Sequence, residues 1–486
     1  MSITGALSNA LSGLTVQARA AELVSSNVAN ANTPGYVKRE LELAPRYLGD
    51  GSPAGVRVVG VTRDVDMVTL QSRRLADAAV GHDSTLSGFY DKLETIIGTP
   101  DQAGSLSGRM DMLETALVEA ASRPDNDARL SAVLAAANGI TQHLKDSSDR
   151  VQDLRMSADQ EIASQVQLLN DGLGRVQALN YQIKEAVARG QDGSALMDMR
   201  QQAIDSLSSI VPLKQVERDH GMVALYTTGG AIMLDGKAAQ VGFTAVGVIV
   251  PEMTYEGGAL GGLTINGNPV RVDGAFSPVK GGSLAALFEV RDSLAVTAQS
   301  RLDAVARDVV ERFQDPAVDP SRAPGAPGLF TDAGNEFAAA DELGLSGRLT
   351  VNALVDPRQG GALWRIRDGL GATAAGDVGN SALIQDLSAA FTNERVPVSG
   401  DFLGAARSAS GLTADVLSLT YAEHARVAGS LAYNASEADA LKGQELSSGV
   451  DTDAEMQKLM LIEQAYAANA KVIQTIGDLM DALMRM

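Results

Sequence analysis

The side chains that most often carry chemistry are sparse in this 486-residue chain. Its four histidines, His82, His143, His220 and His424, are scattered, and none has a second histidine three or four residues away. That spacing offers no metal site on one helical face. Asp451, Asp453 and Glu455 begin like a calcium loop, but the glycine at the sixth position and the acid at the twelfth are missing. Capping of a following helix explains these acids better, since carboxylates suit the positive end of a helix. Gly281-Gly282 invites a phosphate-loop reading, but no Lys-Ser/Thr pair or dinucleotide-binding spacing follows. There is no Gly-x-Ser-x-Gly turn, and the absence of cysteine removes thiol nucleophiles, disulfides and cysteine-metal sites. Asn434-Ala435-Ser436 fits a glycosylation sequon by chance on a helical stretch. We therefore expect no enzyme, no cofactor and no bound metal.

Bulk composition narrows the class further. A formal net charge of −20 argues against nucleic acid, whose phosphates demand clustered Lys and Arg. No apolar run approaches the roughly 20 residues of a membrane span, so no membrane insertion is expected. The first residues lack a basic leader, and Ser8, Asn9, Ser12 and Thr15 interrupt their apolar run, unlike a secretory signal. On composition alone the chain reads as cytoplasmic. Its length suits about two to four domains. With aromatics at 4%, helices and small residues must do most of the packing.

The elements that would organise such a chain lie at its two extremities. Leu459, Ile462, Tyr466, Asn469, Ile473, Ile476, Met480 and Leu483 follow one another in steps of three and four, a heptad seam with one polar slot. Asp451 or Thr452 is placed to cap that helix. Ile3, Leu7, Ala10, Leu14, Gln17, Ala21, Val24 and Val28 repeat the same way at the other end. Two seams of one period predict that the terminal helices pair as a coiled coil and that neighbouring copies pack on the pair. Asn469 and Gln17 are the polar positions expected to set register. The alternative is that each is an ordinary amphipathic core helix.

Between them the spacing predicts a strand over Val56–Asp64, with Arg63 as a solvated strand residue, and a helix from Asp66. One helix covers 105–121. A second, capped at Asp125 or Asn126, runs toward Gly190, and would be roughly 95 Å long at 1.5 Å per residue. Gly172 and Gly174 are candidate kinks in it. A helix follows Asp192-Gly193-Ser194, with Asp198, Arg200 and Asp205 expected as surface partners. Asp235-Gly236 and Asn266-Gly267 are hairpin signals within an antiparallel stretch from 212 to about 280. A helix then runs from Gly281 to about Phe313, a Pro/Gly-rich loop covers 314–330, and 410–447 is helical again. The fold class expected is multidomain α+β. A terminal coiled-coil unit takes 1–40 and 448–486. A helical rod unit takes 41–211 and 398–447, with the 281–313 helix able to return to it. A β-rich outer unit takes 212–397.

Two passages carry a family resemblance. Ser26-Asn27-Val28-Ala29-Asn30 running into Asn32-Thr33-Pro34-Gly35-Tyr36 is similar to the signature of the flagellar rod, hook and hook-associated axial proteins of bacteria. Glu463-Gln464-Ala465-Tyr466-Ala467-Ala468-Asn469-Ala470-Lys471 resembles the end of the same proteins. The long helices, the 194–207 passage and Gly281-Gly282-Ser283-Leu284 are similar to the hook-associated branch, which joins hook to filament; Gln202 stands where an acid is more usual. The resemblance implies a structural subunit that polymerises through both terminal helices, in a ring or tube. It also implies the hook protein below, the second hook-associated protein above, and an export chaperone at the C-terminal helix. Export by the flagellar type III system without a cleaved signal would place the chain outside the cell, replacing the cytoplasmic reading. A hook or distal rod subunit is the alternative, and a secreted helical effector or translocator a more distant one.

Overall fold

A computed structural model describes residues 3–33, 35–47, 53–274, 276–402 and 404–485. Pro34 of the signature lies outside them. The structure is 61% helical with a few small sheets.

Helix α1 (Ile3–Asn30) leads into an antiparallel pair, β1 (Arg39–Tyr47) and β2 (Pro53–Arg63). Asp66 caps α2 (Met67–Ile97) by accepting from the amides of Val68 and Thr69. Ser105 caps α3 (Leu106–Ser122), and Asn126 caps α4 (Asp127–Ala188). Each cap satisfies an amide that the first helical turn leaves without a partner. The 62 residues of α4 form one helix, about 93 Å long at 1.5 Å per residue. It runs without a break through Gly172 and Gly174, the candidate kink positions. Gly172 instead lets Leu207 lie against the helix, where a Cβ would come 2.5 Å from Leu207 Cδ2.

α5 (Ser194–Ser208) packs back on α4 and opens the small sheets. β3 (Leu213–Glu217), β4 (Val223–Thr227), β5 (Ile232–Asp235) and β6 (Lys237–Ala238) form one antiparallel sheet. β7 (Val241–Gly242), β8 (Leu263–Ile265) and β9 (Asn268–Val270) form another. Asn266 and Gly267 both take positive φ (53° and 79°), as a tight hairpin between β8 and β9 requires. At the other predicted hairpin only Gly236 does so, because Asp235 is still paired with Lys237.

α6 (Gly282–Glu289) continues through a π-helical turn at Val290–Leu294 into α7 (Ala295–Gln314). β10 (Phe330–Asp332) and β11 (Leu349–Val351) pair around the single turn α8 (Leu345–Arg348). Another single turn, α9 (Arg365–Asp368), precedes α10 (Ala382–Thr392). α11 (Ala409–Ser447) lies along α2, and α12 (Thr452–Met484) returns to α1.

The Gly281-Gly282 pair has a mechanical purpose. Both residues have positive φ, at 86° and 75°. They let the N-terminus of α6 dock on the end of α5, where Ser209 and Ile210 carbonyls accept from the amides of Ser283 (2.9 Å) and Leu284 (3.2 Å). Those first-turn amides are thus already occupied, which removes the phosphate-loop reading. A Cβ at Gly282 would overlap the Ile210 carbonyl. Gly282→Ala is therefore expected to cost at least about 2 kcal/mol, from strain plus clash. Gly258→Ala, at similar φ with open space around it, should cost visibly less. Urea midpoints of the two variants check this; equal midpoints would refute it.

One contiguous apolar core runs from α2, α3 and α4 through the sheets to α7, α10 and α11. Among the described residues it includes none of α1, β1, β2 or α12. Those four elements are held to the rest by other means.

Candidate functional site: the terminal helix pair and its polar joint

α1 and α12 run antiparallel, and two polar contacts fix their register. Asn469 sits over Gly13, so close that a Cβ on Gly13 would come 2.8 Å from Asn469 Nδ2. Two heptads along, Asn27 Nδ2 donates to Glu455 Oε2 at 3.0 Å. The same fourteen-residue interval separates the contacts on both helices, with opposite sense. Among the described residues Asn469 hydrogen-bonds within its own helix, to the Ala465 carbonyl at 3.0 Å. The buried cross-helix polar pair is Asn27 with Glu455, 0% and 2% exposed, neither of them among the polar positions expected to set register.

Asn27 is also the hub of the signature. Its Oδ1 accepts from Tyr36 Oη (2.8 Å) and the Arg39 amide (3.1 Å), while Nδ2 also donates to the Arg39 carbonyl (3.0 Å). One amide thus ties α1, the turn, β1 and α12 together, which no other residue type of that size does. Asn30 donates to the Ser26 carbonyl at 2.9 Å and accepts from Thr33 Oγ1 at 3.3 Å, ending α1. Gly35, at φ 76°, lies so close to Gln202 of α5 that a Cβ would overlap its amide. Asn32 and Thr33 are exposed.

The other predicted seam residues divide. Val24, Ile462 and Ile476 are buried; Leu7, Leu14, Val28, Leu459, Asn469 and Ile473 are half-buried. Ile3, Tyr466, Met480 and Leu483 stay exposed, at 37%, 47%, 48% and 60%. A single partner helix covers only part of each circumference, so these four positions stay bare.

A chain of charges joins this unit to the rod. Asp198 on α5 accepts from Arg39 Nη2 (2.9 Å) and Arg63 Nε (2.8 Å), clamping both strands. Arg63 Nη2 donates to Gln201 Oε1 at 2.7 Å, and Gln201 Nε2 to Glu445 Oε1 of α11 at 3.4 Å. Glu445 accepts from Arg73 of α2 at 2.5 Å. Asp205 then holds Arg73 at 2.7 Å and the fully buried Arg74 at 2.6 Å. Arg200 donates to Asn180 Oδ1 (2.9 Å) and the Gly221 carbonyl (2.6 Å); burial pushes its guanidinium down to about 10. Burial likewise pulls Arg63 below its usual value against the opposing pull of Asp198. These findings correct the expectation of a solvated Arg63 and of surface roles for Asp198, Arg200 and Asp205. The partners of Arg63, Asp198 and Asp205 lie more than a hundred residues away and those of Arg200 about twenty, beyond what local spacing shows.

Asp198→Ala would leave two largely buried guanidinium groups facing each other. Loss of one partner from a buried ion pair costs about 3–5 kcal/mol. Faster amide exchange is expected in 36–63, with α3 and α4 unchanged; undisturbed protection of 36–63 would count against the joint.

The family model for the helical domain of the flagellar hook-associated protein FlgK matches residues 90–317. The flagellar basal body rod FlgEFG C-terminal model matches 443–486, and the flagella basal body rod model matches 7–36. The flagellar hook-associated protein 1 of Bacillus subtilis aligns with nearly the whole chain, 22% identical over 98% of it and 97% of that protein. The chain is thus similar to flagellar hook-associated protein 1 from end to end. The Salmonella typhimurium member is 28% identical over 53% of this chain and 50% of its own. The chain thus spans about half the length of the first curated relatives it matches. The solved flagellar hook junction protein FlgK from Burkholderia pseudomallei aligns over 54% of this chain and 46% of its own, at 18% identity and a TM-score of 0.44. The two rod-protein models fall on α1 and α12, the elements that Asn27 and Glu455 join.

Proposed function

We propose that this chain is a structural subunit of the bacterial flagellum that forms the junction between hook and filament, polymerising through α1 and α12. The observation that carries the reading is the unfinished terminal pair. It shares no apolar core with the rest of the molecule, and Leu461, Val472, Leu479, Met480 and Leu483 of α12 are 44–65% exposed. Burying such surface among neighbours yields about 25 cal/mol per Å2, which offsets the ordering of the helices. The 62-residue α4 weighs against a hook or rod subunit, which should lack it.

In this reading the terminal unit (1–40 and 448–486) lines the tube and the helical rod (41–211 and 398–447) surrounds it. The smaller elements of 212–397 form the outer part. The partners are copies of itself, hook protein below and the second hook-associated protein above, with an export chaperone holding α12 beforehand. Delivery is through the flagellar type III system. No described helix is long and apolar enough to cross a membrane, and no catalytic role is assigned.

Electron microscopy of a deletion strain tests this. Bare hooks, with filament protein lost to the medium and restored by the full chain but not by one lacking 452–484, are expected. Full-length filaments in the deletion strain would end the proposal.

A further inference from the structure

α12 carries a second stripe. From Leu461, steps of four and three give Ala465, Ala468, Val472, Thr475 and Leu479. Leu461, Val472 and Leu479 are 65%, 44% and 52% exposed. The stripe lies about a quarter turn from Ile462 and Ile476, the buried positions that serve α1, at 100° per residue. No Asp, Glu, Lys or Arg interrupts it, in a chain with 100 of them (40 basic and 60 acidic). α1 has a bare flank of its own: Leu11 is 59% exposed, Ala18 is exposed, and Leu7 and Leu14 are half-buried, again in steps of four and three.

We infer that the Leu461–Leu479 stripe of one copy seats the Leu7–Leu11–Leu14–Ala18 flank of α1 from a second copy. This rests on the polymerising role above and names the faces that carry it. Three physical arguments select α1 over a second α12 as the occupant. Shape is the first: leucine knobs on α1 fill the gaps over Ala465 and Ala468, whereas alanines set against alanines leave a shallow contact. Charge is the second. α12 has Asp453, Glu455, Glu463, Asp478 and Asp481 against Lys458 and Lys471, net −3, while α1 has one Arg and one Glu, net 0. Two α12 helices side by side repel; α12 beside α1 does not. Symmetry is the third. A stripe pairing with itself closes a dimer, but two unlike stripes leave one of each free, so the array continues. The contact is also continuous with the α1–α12 pair inside each subunit.

The cysteine-free sequence gives a clean test. Leu11→Cys and Val472→Cys are made in separate full-length chains, mixed, assembled and oxidised, so every disulfide joins two molecules. Cross-links between 11 and 472 should exceed either homodimer several-fold. Dominant 472–472 links would overturn the choice of α1. Assembly with neither link would overturn the face while leaving polymerisation intact, and failure of the parent chain to assemble would remove the polymerising reading itself. As a second readout, Leu461→Glu with Leu479→Glu should block assembly with α1 and α12 still paired, while Met456→Glu with Met460→Glu should assemble normally. The reverse pattern overturns the inference.

Discussion

Asn27→Leu will separate the terminal helices from their register while leaving the rod folded. The leucine matches asparagine in size but offers nothing to Glu455, which is 2% exposed. Stranding a buried charged acceptor costs about 2–4 kcal/mol, more than the median stabilisation of a neutral hydrogen bond. Three further bonds, from Tyr36 and to and from Arg39, go with it. The expected result is loss of amide protection throughout α12 and the first residues of β1, together with loss of assembly. The double variant Asn27→Leu, Glu455→Leu should recover much of the protection, because removing both partners of a buried pair is far less costly than removing one. It should not recover a single assembly geometry, since a polar seam contact specifies register as well as strength. If Asn27→Leu alone leaves α12 as protected as before, the hub assigned to Asn27 is wrong.

The second large effect belongs to the interior. Asp159 and Arg291 form an ion pair at 2.6 Å with both side chains at 0% exposure. Arg291 sits in the π-helical turn between α6 and α7, beneath Phe288 and Phe243, with its carbon centre 5.0 and 5.6 Å from their rings. Asp159 also accepts from the Val246 amide at 2.7 Å, so it anchors the loop after β7. Asp159→Ala removes one partner and leaves the buried guanidinium with its two-point contact to Asp292, at 2.8 Å through each oxygen. The expected cost is about 3–5 kcal/mol, read from the urea midpoint. Asp292→Ala, whose side chain is 21% exposed, should cost clearly less. Equal effects would show that the buried carboxylate is not the one that matters.

The periodic features were legible in the sequence. Heptad stripes announced α1 and α12, and helical period and capping are local properties of the chain. Of the paired cap candidates, Asp451 rather than Thr452 caps α12, and Asn126 rather than Asp125 caps α4. The joint was not legible. Arg63, Asp198, Gln201 and Glu445 meet across separations of 135 to 244 residues, and no spacing rule encodes a partner that far away. Asn27 is visible in the sequence only as part of the signature passage, and its role as a hub depends on Glu455, 428 residues later. Glycines were ambiguous. Gly172 and Gly174 were candidate kinks in a helix that runs on unbroken, with Leu207 lying against Gly172, and Gly281-Gly282, a weak match to a phosphate loop, has its following amides occupied by backbone carbonyls.

The absence of a shared oily interior between the ends and the rod has a mechanical corollary. Greasy seams tolerate small slips, whereas Asp198 meets Arg39 and Arg63 at set distances of 2.9 and 2.8 Å, with all three side chains no more than 13% exposed. A mooring of that kind is particular about direction, so it holds the extremities to the rod at one bearing. Because water scarcely reaches it, added electrolyte weakens it little.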